Sequence, residues 1–425
     1  MFLRGVGAFV AVVAVAALLP GAGAVAATSR GPTVVVRTDG QLAAAVRRLA
    51  VSGGTIVLRR GRYGHLVVGP RGWRPLHIVG RPGASVGGAR LEGTQRVSLG
   101  RVTLSPSRAD AEIEIWRSRH VELHDLVVSA AHSGHSASIL VADGRHVAIR
   151  RSTFSHCGDH DPEFVNCITL YRWTHDVRIE ANRFHDCFGC DFVNGRFGSD
   201  LTIRDNRFDR ALPCHMGAYR CRHNDLVQLF GGKRLHVVRN HFGVYREGGA
   251  QLYLTNDVDY ATIVNNVFVG RDARVPGYRA RVAMVVGSQR SQRMPLHARI
   301  VNNTILTGHR RRDGYAGSIR MSSRYGAVPR WQRPIVANNV IGLLATAGRV
   351  CGFAQRFVGN LVIEGRGCSV DDLVGPVYLD GRGRPTDGSP AIDGGNRHFA
   401  PATDATGRRR DGWPDVGAFE YVQPG

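Results

Sequence analysis

Residues 223–232, HNDLVQLFGG, place His223 and Asp225 in a strand-like run whose neighbours along the chain are mostly apolar. A second run, DFVN, begins with Asp191. If the two runs are adjacent strands of a parallel sheet, their aspartates lie about 4.8 Å apart. Two carboxylates that close cannot both stay ionised cheaply without a cation, an arginine or a shared proton. The pair therefore predicts acid–base chemistry or a metal site at Asp191 and Asp225.

Further polar residues accompany the aspartates on the same strands. The alignment that stacks Asp225 on Asp191 also predicts one row of four side chains: Tyr171, Asn194, Gln228 and Thr255. We expect substrate contacts from five residues of this region: Asn194, Arg196, Gln228, Arg246 and Tyr253.

A repeated unit, two short alternating strands around a turn at asparagine, must position these side chains. It is clearest in six segments and weaker at 97, 121 and 147; the six are 177–184, 201–208, 235–242, 261–268, 298–305 and 334–341. Another short strand lies between successive copies. Each copy is too small to bury its own apolar face, so the copies must stack. Three short strands per repeat predict a parallel β-helix with one rung per repeat, whereas leucine-rich and propeller repeats fit poorly.

The asparagine that recurs at the turn has a structural interpretation. Asparagine tolerates a left-handed backbone, and its amide can hydrogen-bond the same amide one rung away. We therefore interpret seven asparagines as scaffold: Asn182, Asn206, Asn240, Asn266, Asn303, Asn339 and Asn360.

The connections that lead from one repeat to the next differ in length. Phe184 and Val193 are 9 positions apart, whereas Phe208 and Val227 are 19 apart. The other corner is nearly constant, so the insertions project from one edge of the stack. Loops collected on one edge form the walls of a groove, and such scaffolds usually bind ligands there.

With these features the chain resembles the pectate-lyase-like superfamily of single-stranded right-handed β-helices over residues 33–370. Residues 33–63, TVVVRTDGQLAAAVRRLAVSGGTIVLRRGRY, look like that family's entry: a strand, a helix with Leu42, Val46 and Leu49 on one face, and the first coil. The segments DGSPAIDGGN at 387–396 and PDVGAFEY at 414–421 are similar to endings of secreted bacterial β-helix proteins.

The resemblance implies an all-β fold, a right-handed parallel β-helix solenoid with an N-terminal capping helix and an irregular C-terminal tail. We expect a signal peptide at 1–27, the β-helix at 28–370 and an irregular capping segment at 371–425. The superfamily contains lyases, hydrolases, epimerases and non-catalytic adhesins, so the resemblance implies the fold more strongly than the reaction.

A lyase that acts on a polyuronate must neutralise the substrate carboxylate, remove the proton at C5 and protonate the leaving oxygen. For the first role we expect Ca²⁺, held by Asp191 and Asp225 through oxygen ligands. Basic residues serve as lyase bases in the resembled family, which makes Lys233 the expected base, with Arg196 or Arg246 as alternatives. His223 is expected as the acid or as an orienting group.

Other interpretations of these residues stay open. A hydrolase would use one aspartate as acid and the other as base or nucleophile, although the polygalacturonase branch of the family has a denser aspartate cluster. Both aspartates could instead cap strand starts by accepting backbone N–H groups, and Lys233 could be a solvated turn residue. The acidic run GDHDPE at 158–163 is either a second Ca²⁺ loop or a solvated loop.

The net charge of +22 favours an acidic polysaccharide as partner. Only Lys233 among the 56 basic residues is a lysine, so coding bias also contributes to this arginine richness. No nucleic-acid-binding module is recognisable. We expect a monomer that binds an acidic polysaccharide, and a non-catalytic glycan-binding or surface protein is the alternative.

The N-terminus predicts export. Arg4, an apolar run and the small-residue segment GAGAVAA form the pattern of a signal peptide cleaved near Ala26 or Ala27. The apolar run is too short to span a bilayer, so we expect a secreted protein without a membrane span.

Eight cysteines in an exported chain favour disulfides. Spacing pairs Cys214 with Cys221 and Cys351 with Cys368. The remaining four cysteines pair either across rungs, 157 with 187 and 167 with 190, or locally, 157 with 167 and 187 with 190.

Overall fold

The structure is a computed structural model, and the part of the chain that it describes falls within one compact unit, Gly31–Gly425. The described residues are 31–104, 113–129, 137–157, 166–212, 225–245, 249–270, 282–287, 294–307, 318–344 and 347–423. Within these ranges no helix is long and apolar enough to cross a membrane. The predicted signal peptide lies outside them, and the predicted domain boundaries stay predictions.

The chain forms a right-handed parallel β-helix in which successive rungs add strands to three sheets, named sheet A, sheet B and sheet C in order along a rung. Sheet A contains Ile113–Trp116, Ala137–Ala142, Asn166–Tyr171, Val193–Gly195, Met284–Val286 and Ile319–Met321. Sheet B contains Thr33–Val36, Gly54–Leu58, Leu76–Gly80, Gln95–Gly100, Arg119–His124, Arg145–Arg150, His175–Glu180, Ser199–Arg204, Thr262–Val264, Arg299–Val301, Ile335–Ala337 and Arg356–Val358. Sheet C contains Thr103–Leu104, Val127–Ser129, Thr153–Ser155, Arg183–His185, Arg207–Phe208, His241–Phe242, Val267–Phe268, Thr304–Ile305, Val340–Leu344, Leu361–Gly365 and Leu373–Val374.

Four longer strands bend from one sheet into the next. Gly61–Val68 and Ala84–Glu92 run from sheet C into sheet A, and Val227–Val238 and Leu252–Asp259 run from sheet A into sheet B. A separate pair, Cys187–Phe188 with Ala211–Leu212, forms a two-stranded sheet. The predicted all-β solenoid is thus confirmed.

The interior is filled by side chains from equivalent positions of successive rungs. A column of five fully buried phenylalanines follows the asparagine turn, with neighbouring ring centroids 4.5 to 5.1 Å apart: Phe154, Phe184, Phe208, Phe242 and Phe268. Aromatic rings at this separation stack favourably, so the repeated phenylalanine keeps successive rungs in register.

The seven asparagines form the predicted ladder inside the turn between sheets B and C. At a typical step, the Asn303 Oδ1 accepts the backbone N–H of Asn266 at 2.9 Å and its side-chain amide at 3.0 Å. The same pattern repeats from Asn182 to Asn360. Ser152 occupies the equivalent position one rung before Asn182, and its backbone N–H donates to the Asn182 Oδ1.

Helix α1, Asp39–Ser52, begins after Thr38, whose side chain accepts the backbone N–H of Gln41 at 3.3 Å. Leu42, Ala45 and Leu49 are buried against the core, and Val46 is only partly buried. The N-terminal helix is therefore confirmed. The other helices are short: α2 at Ala347–Phe353 and two 3₁₀ turns at Ser323–Ala327 and Arg330–Gln332.

Residues 375–423 follow the last strand without forming a helix or strand of their own. They pack along the asparagine turns, where the outward amides of Asn265, Asn302 and Asn338 donate to tail carbonyls. Arg410 forms a buried ion pair with Glu420 and also donates to the Asn265 Oδ1 at 3.0 Å. The irregular C-terminal tail is confirmed, and its backbone satisfies polar groups on the flank of the solenoid.

Three disulfides lie within the described residues: Cys157–Cys167, Cys187–Cys190 and Cys351–Cys368. Two of them settle the open alternative in favour of local pairing, with Cα separations of 5.3 and 5.8 Å. Cys214 and Cys221 lie outside the described residues.

Candidate functional site

The outer face of sheet A carries the predicted polar row. In successive rungs Thr169 pairs with Asn194, Asn194 with Gln228, and Gln228 with Tyr253. The row continues through Val285 to Arg320. These six residues are named the amide row. Their side chains alternate with inward apolar residues such as Val193 and Val227, as a half-buried sheet requires.

One part of the predicted register was wrong. Tyr171 and Thr255 lie two residues further along their strands than the amide row, in a second outward row with Arg196 and Phe230. Because side chains alternate with a period of two, a slip of two residues keeps every apolar side chain facing inward. The hydrophobic pattern therefore does not distinguish the two registers.

Asp191 and Asp225 stack at the strand starts, as predicted, but their oxygens support the backbone. The Asp191 Oδ1 accepts the N–H of Asp225 at 2.8 Å, and the Asp225 Oδ1 accepts the N–H of Ala250 at 2.5 Å. Asn166 provides the same support one rung earlier, where its Oδ1 accepts the N–H of Asp191. The two aspartates thus cap strand starts by accepting backbone N–H groups, which is the structural interpretation of the pair.

Burial and then the charge of Asp191 raise the pKa of Asp225 well above its ordinary value. Asp225 is 0% exposed, so a polymer on the outer face of sheet A does not reach its carboxyl group. The effect of Asp225 extends to its neighbour: burial and then the negative charge of Asp225 raise the pKa of Tyr253, while Arg320 acts in the opposite direction. Tyr253 therefore keeps its phenolic proton at neutral pH.

Asn194 connects the aspartate column to the amide row. Its side-chain amide lies 2.5 Å from the Asp191 Oδ2 and 2.9 Å from the Gln228 Oε1. This pair of hydrogen bonds fixes the orientation of Asn194 and Gln228 on the outer face. The two predicted contact residues are thus preorganised, with little side-chain freedom left to lose when a ligand binds.

Arg196 is exposed on the same face, two residues after Asn194. Its guanidinium lies over Gly231, where an added Cβ would meet the Arg196 Nε at 2.5 Å. Gly231 also has a φ of 82°, in the region that favours glycine. A glycine at this position lets the charged group of Arg196 lie flat against the sheet.

Lys233 is not brought to the aspartates. It follows a register shift between Phe230 and Gly232 and pairs in sheet B with Ser199 and Asp259. At about 3.3 Å per residue, the five residues from Asp225 to Phe230 alone span about 16 Å. Lys233 is an exposed residue at the start of sheet B.

Two predicted site residues, His223 and Arg246, lie outside the described residues, as does the acidic run at 158–163. The structure therefore does not test them. These segments all belong to the connections that lead from the end of one rung to the sheet A strand of the next. This is the edge on which the sequence predicts variable loops.

The described residues alone do not make up a Ca²⁺ site. Among them, no group of three or more histidine, cysteine, aspartate or glutamate side chains is placed to hold a metal ion. Ca²⁺ takes about six to eight oxygen ligands, and one oxygen of each stacked aspartate already accepts a backbone N–H. The ion stays a prediction.

Three further residues of this face were not predicted as a site. Arg172 lies over two aromatic rings, 5.3 Å from the Tyr171 centroid and 5.8 Å from that of Trp116. Trp173 is 72% exposed beside them. The signal in the sequence is the triplet YRW directly after an otherwise apolar strand. Arg320, at the far end of the amide row, gives a weaker signal in the segment SIRM.

Comparison with known proteins agrees with the fold. Residues 88–268 match a family model described as a right-handed beta helix region. No curated protein matches the sequence of the chain.

Solved structures that are similar to this chain include an adhesin and two lyases. The surface adhesin PfbA of Streptococcus pneumoniae has a TM-score of 0.47 and 14% identity, covering 63% of this chain and 80% of that chain. An alginate lyase from Paenibacillus sp. str. FPU-7 has a TM-score of 0.42 and 12% identity, covering 68% and 95%. The pectate lyase Pel9A has a TM-score of 0.44 and 12% identity, covering 92% and 96%. At these values none of the three carries an argument about activity.

Proposed function

From this right-handed parallel β-helix and the side chains on the outer face of sheet A, we propose an exported protein that binds an acidic polysaccharide and cleaves it by elimination. The observation that carries the proposal is the register of Asn194, Gln228 and Tyr253 on three successive rungs, with Arg196 beside them. A site of this form is linear, and a linear polymer is the ligand that fits it.

The polymer lies along the stack, across the strands. The amide row has six members, and five steps of about 4.8 Å give a site about 24 Å long. Amide groups and a phenol hydrogen-bond sugar hydroxyls. Arginine pairs with carboxylates through charge-assisted hydrogen bonds, so Arg196 and Arg320 select uronates over neutral sugars.

Elimination at a uronate needs few groups. A base takes the C5 proton, the freed electron pair forms the C4–C5 double bond, the C4–O bond breaks, and the leaving oxygen takes a proton. We assign the last step to Tyr253, because its phenol lies in the amide row directly beside Gln228. Arg196 neutralises the substrate carboxylate. Arg246, an alternative to Lys233 in the sequence-based prediction, takes the C5 proton in this scheme, and His223 is the orienting group.

The aspartates act indirectly in this scheme. The Asp191 Oδ2 accepts the amide of Asn194, and the Asp225 Oδ1 accepts the backbone N–H of Ala250. Both are positioning residues, since neither is placed to contact the polymer. A hydrolase would need these carboxyl groups at the sugar itself, which disfavours hydrolysis.

The test is product formation from polygalacturonate, alginate and glycosaminoglycans, followed by the absorbance of unsaturated uronates, with Ca²⁺ and with chelator. We expect product from at least one polymer, Tyr253→Phe to lower kcat at least about 100-fold with little change in binding, and Tyr260→Phe to behave as wild type. Tyr260 is a matched control, since it is exposed and stacks on His297 in the turn between sheets A and B. A polymer retained without product would contradict the lyase.

The second candidate is a non-catalytic glycan-binding protein of the cell surface. The capping hydrogen bonds of Asp191 and Asp225 favour it, because they give both aspartates a purely structural use. For this candidate, Tyr253→Phe changes affinity only, and no polymer yields unsaturated ends.

A further inference from the structure

Positive charge is concentrated at the N-terminal end of the solenoid. Residues 31–104 contain twelve arginines but only two acidic residues, Asp39 and Glu92. Of these arginines only Arg90 forms an ion pair within the described residues. The positive charges of the other eleven arginines are therefore available to solvent or to an anionic ligand.

Three of these arginines stand in a column. Val36 pairs with Leu58, and Leu58 with Gly80, in successive strands of sheet B. The residues that follow them, Arg37, Arg59 and Arg81, continue the same register, since the N–H of Arg59 donates to the Val36 carbonyl and that of Arg81 to the Leu58 carbonyl. All three side chains are exposed and one rung apart, in the turn that leaves sheet B.

In later rungs the same turn carries ion pairs one position before that of the column. Arg151 pairs with Asp125 one rung earlier at 2.9 Å, and Arg239 pairs with Asp205 at 2.7 Å. In the first rungs that position holds Val36, Leu58 and Gly80, which supply no acidic partner. Like charges on neighbouring rungs repel each other. An anionic ligand along the column would remove that cost.

We propose that Arg37, Arg59 and Arg81 form a second, non-catalytic binding site for an acidic polysaccharide, at the turn between sheets B and C. A polyuronate carries a carboxylate on every sugar, and a chain laid along the solenoid axis presents these groups to arginines one rung apart. The site lies on another corner of the solenoid from the amide row. It shares the polymer class with the proposed function but none of its residues.

The role that follows is retention. A polymer held at the column keeps the protein on the material while the outer face of sheet A engages other segments. Two sites on one rigid scaffold raise the effective concentration of polymer at each of them. Removal of the column therefore lowers affinity for long chains more than for short ones.

The test measures binding to polygalacturonate by affinity electrophoresis, in the Tyr253→Phe background so that the polymer is not cleaved. The column variant carries Arg37→Ser, Arg59→Ser and Arg81→Ser. The matched control carries Arg145→Ser, Arg299→Ser and Arg356→Ser, which removes the same charge from exposed positions of sheet B that are not one rung apart. We expect at least a tenfold loss of affinity in the column variant and less than twofold in the control.

Several results would overturn the inference. Equal losses in both variants would mean that net charge alone drives binding, and no loss in the column variant would mean that the arginines are only solvated. Equal column-dependent binding of inorganic polyphosphate would remove the assignment to a polysaccharide. Unfolding midpoints check that both variants fold. A wild-type protein that fails to cleave any polymer contradicts the lyase and leaves this binding test intact.

Discussion

The backbone N–H of Asp225 donates to the Oδ1 of Asp191, 2.8 Å away in the preceding rung. The carboxyl group of one residue thus supports the backbone of the next, as the asparagines do in the turn between sheets B and C. The arrangement also brings two acidic side chains together in a buried position. The free energy of unfolding of the protein must therefore depend on the protonation of Asp225.

Asp225→Asn tests that dependence. Burial and the charge of Asp191 raise the pKa of Asp225 in the folded protein. The contribution of Asp225 to stability is therefore fully present below its unfolded pKa of about 3.9, and it is lost as the pH rises through its folded pKa. We expect the variant to match wild type at about pH 3 and to exceed it at pH 7, in urea unfolding. Asp225→Ala leaves the Ala250 N–H without its acceptor and should lose about 1–3 kcal/mol. A variant less stable than wild type at pH 7 would contradict the raised pKa.

Asp200 has the opposite pH dependence. Hydrogen bonds from Arg234 and then Ser199 lower the pKa of Asp200 to about 2. Its contribution is therefore present above the ordinary pKa of 3.8 and is lost as the pH falls through about 2. The pair is about half exposed, so we expect only about 0.5 kcal/mol. Asp200→Asn should lower the free energy of unfolding more at pH 6 than at about pH 2, and a loss of equal size at both would be the contrary result.

Asn303→Ala should be among the most destabilising single changes in the solenoid. The Asn303 Oδ1 accepts both the backbone and the side-chain N–H of Asn266, and the whole ladder is buried. Two buried donors lose their acceptor, which costs about 3 kcal/mol. Asn303→Ser should lose less, because Ser152 already serves at the equivalent position of an earlier rung. Equal unfolding midpoints for the two variants would be inconsistent with the ladder.

Arg196→Ala tests binding at the outer face of sheet A. Loss of one charge-assisted pair with a substrate carboxylate should raise the Kd for the preferred polyuronate about tenfold, or about 1.4 kcal/mol. Arg299→Ala, an exposed arginine on sheet B, is the matched control and should change it little. Calorimetric titration with a defined oligouronate measures both. Similar effects of the two substitutions would place the polymer elsewhere.

Glu420→Ala tests the attachment of the C-terminal tail. Glu420 is the buried ion-pair partner of Arg410, and removal of one partner of such a pair costs about 3–5 kcal/mol, since the other charge stays buried. Glu420→Gln keeps a hydrogen-bond acceptor and should cost less. Thermal unfolding measures both. Wild-type stability of Glu420→Ala would mean that the tail contributes little to the solenoid.

Periodicity was sufficient to predict the scaffold. The asparagine and the phenylalanine recur at a fixed distance within the unit, and identical residues at equivalent positions of a stacked repeat must contact each other. Asn266 hydrogen-bonds Asn240 and Asn303 on the two neighbouring rungs, and Phe268 stacks on Phe242. Neither contact requires knowledge of the loops.

The site was less predictable because it depends on features that alternation does not encode. Tyr171 and Thr255 were placed two positions away from their true row, since such a slip keeps the same face inward. Lys233 was separated from Asp225 by the bend of one long strand from sheet A into sheet B. The local pairing of Cys157 with Cys167 also depends on loop geometry, which cysteine spacing does not give.

The asparagine ladder ends in a different residue, and this gives it a direction. The Asp372 Oδ1 accepts both the backbone and the side-chain N–H of Asn360, while its Oδ2 accepts the N–H groups of Cys368 and Ser369. An ionised carboxylate accepts hydrogen bonds and donates none, so Asp372 has nothing to pass to another amide. Asp372 thus acts as the terminator of this column of hydrogen bonds and ties its last rung to the loop at Cys368 and Ser369.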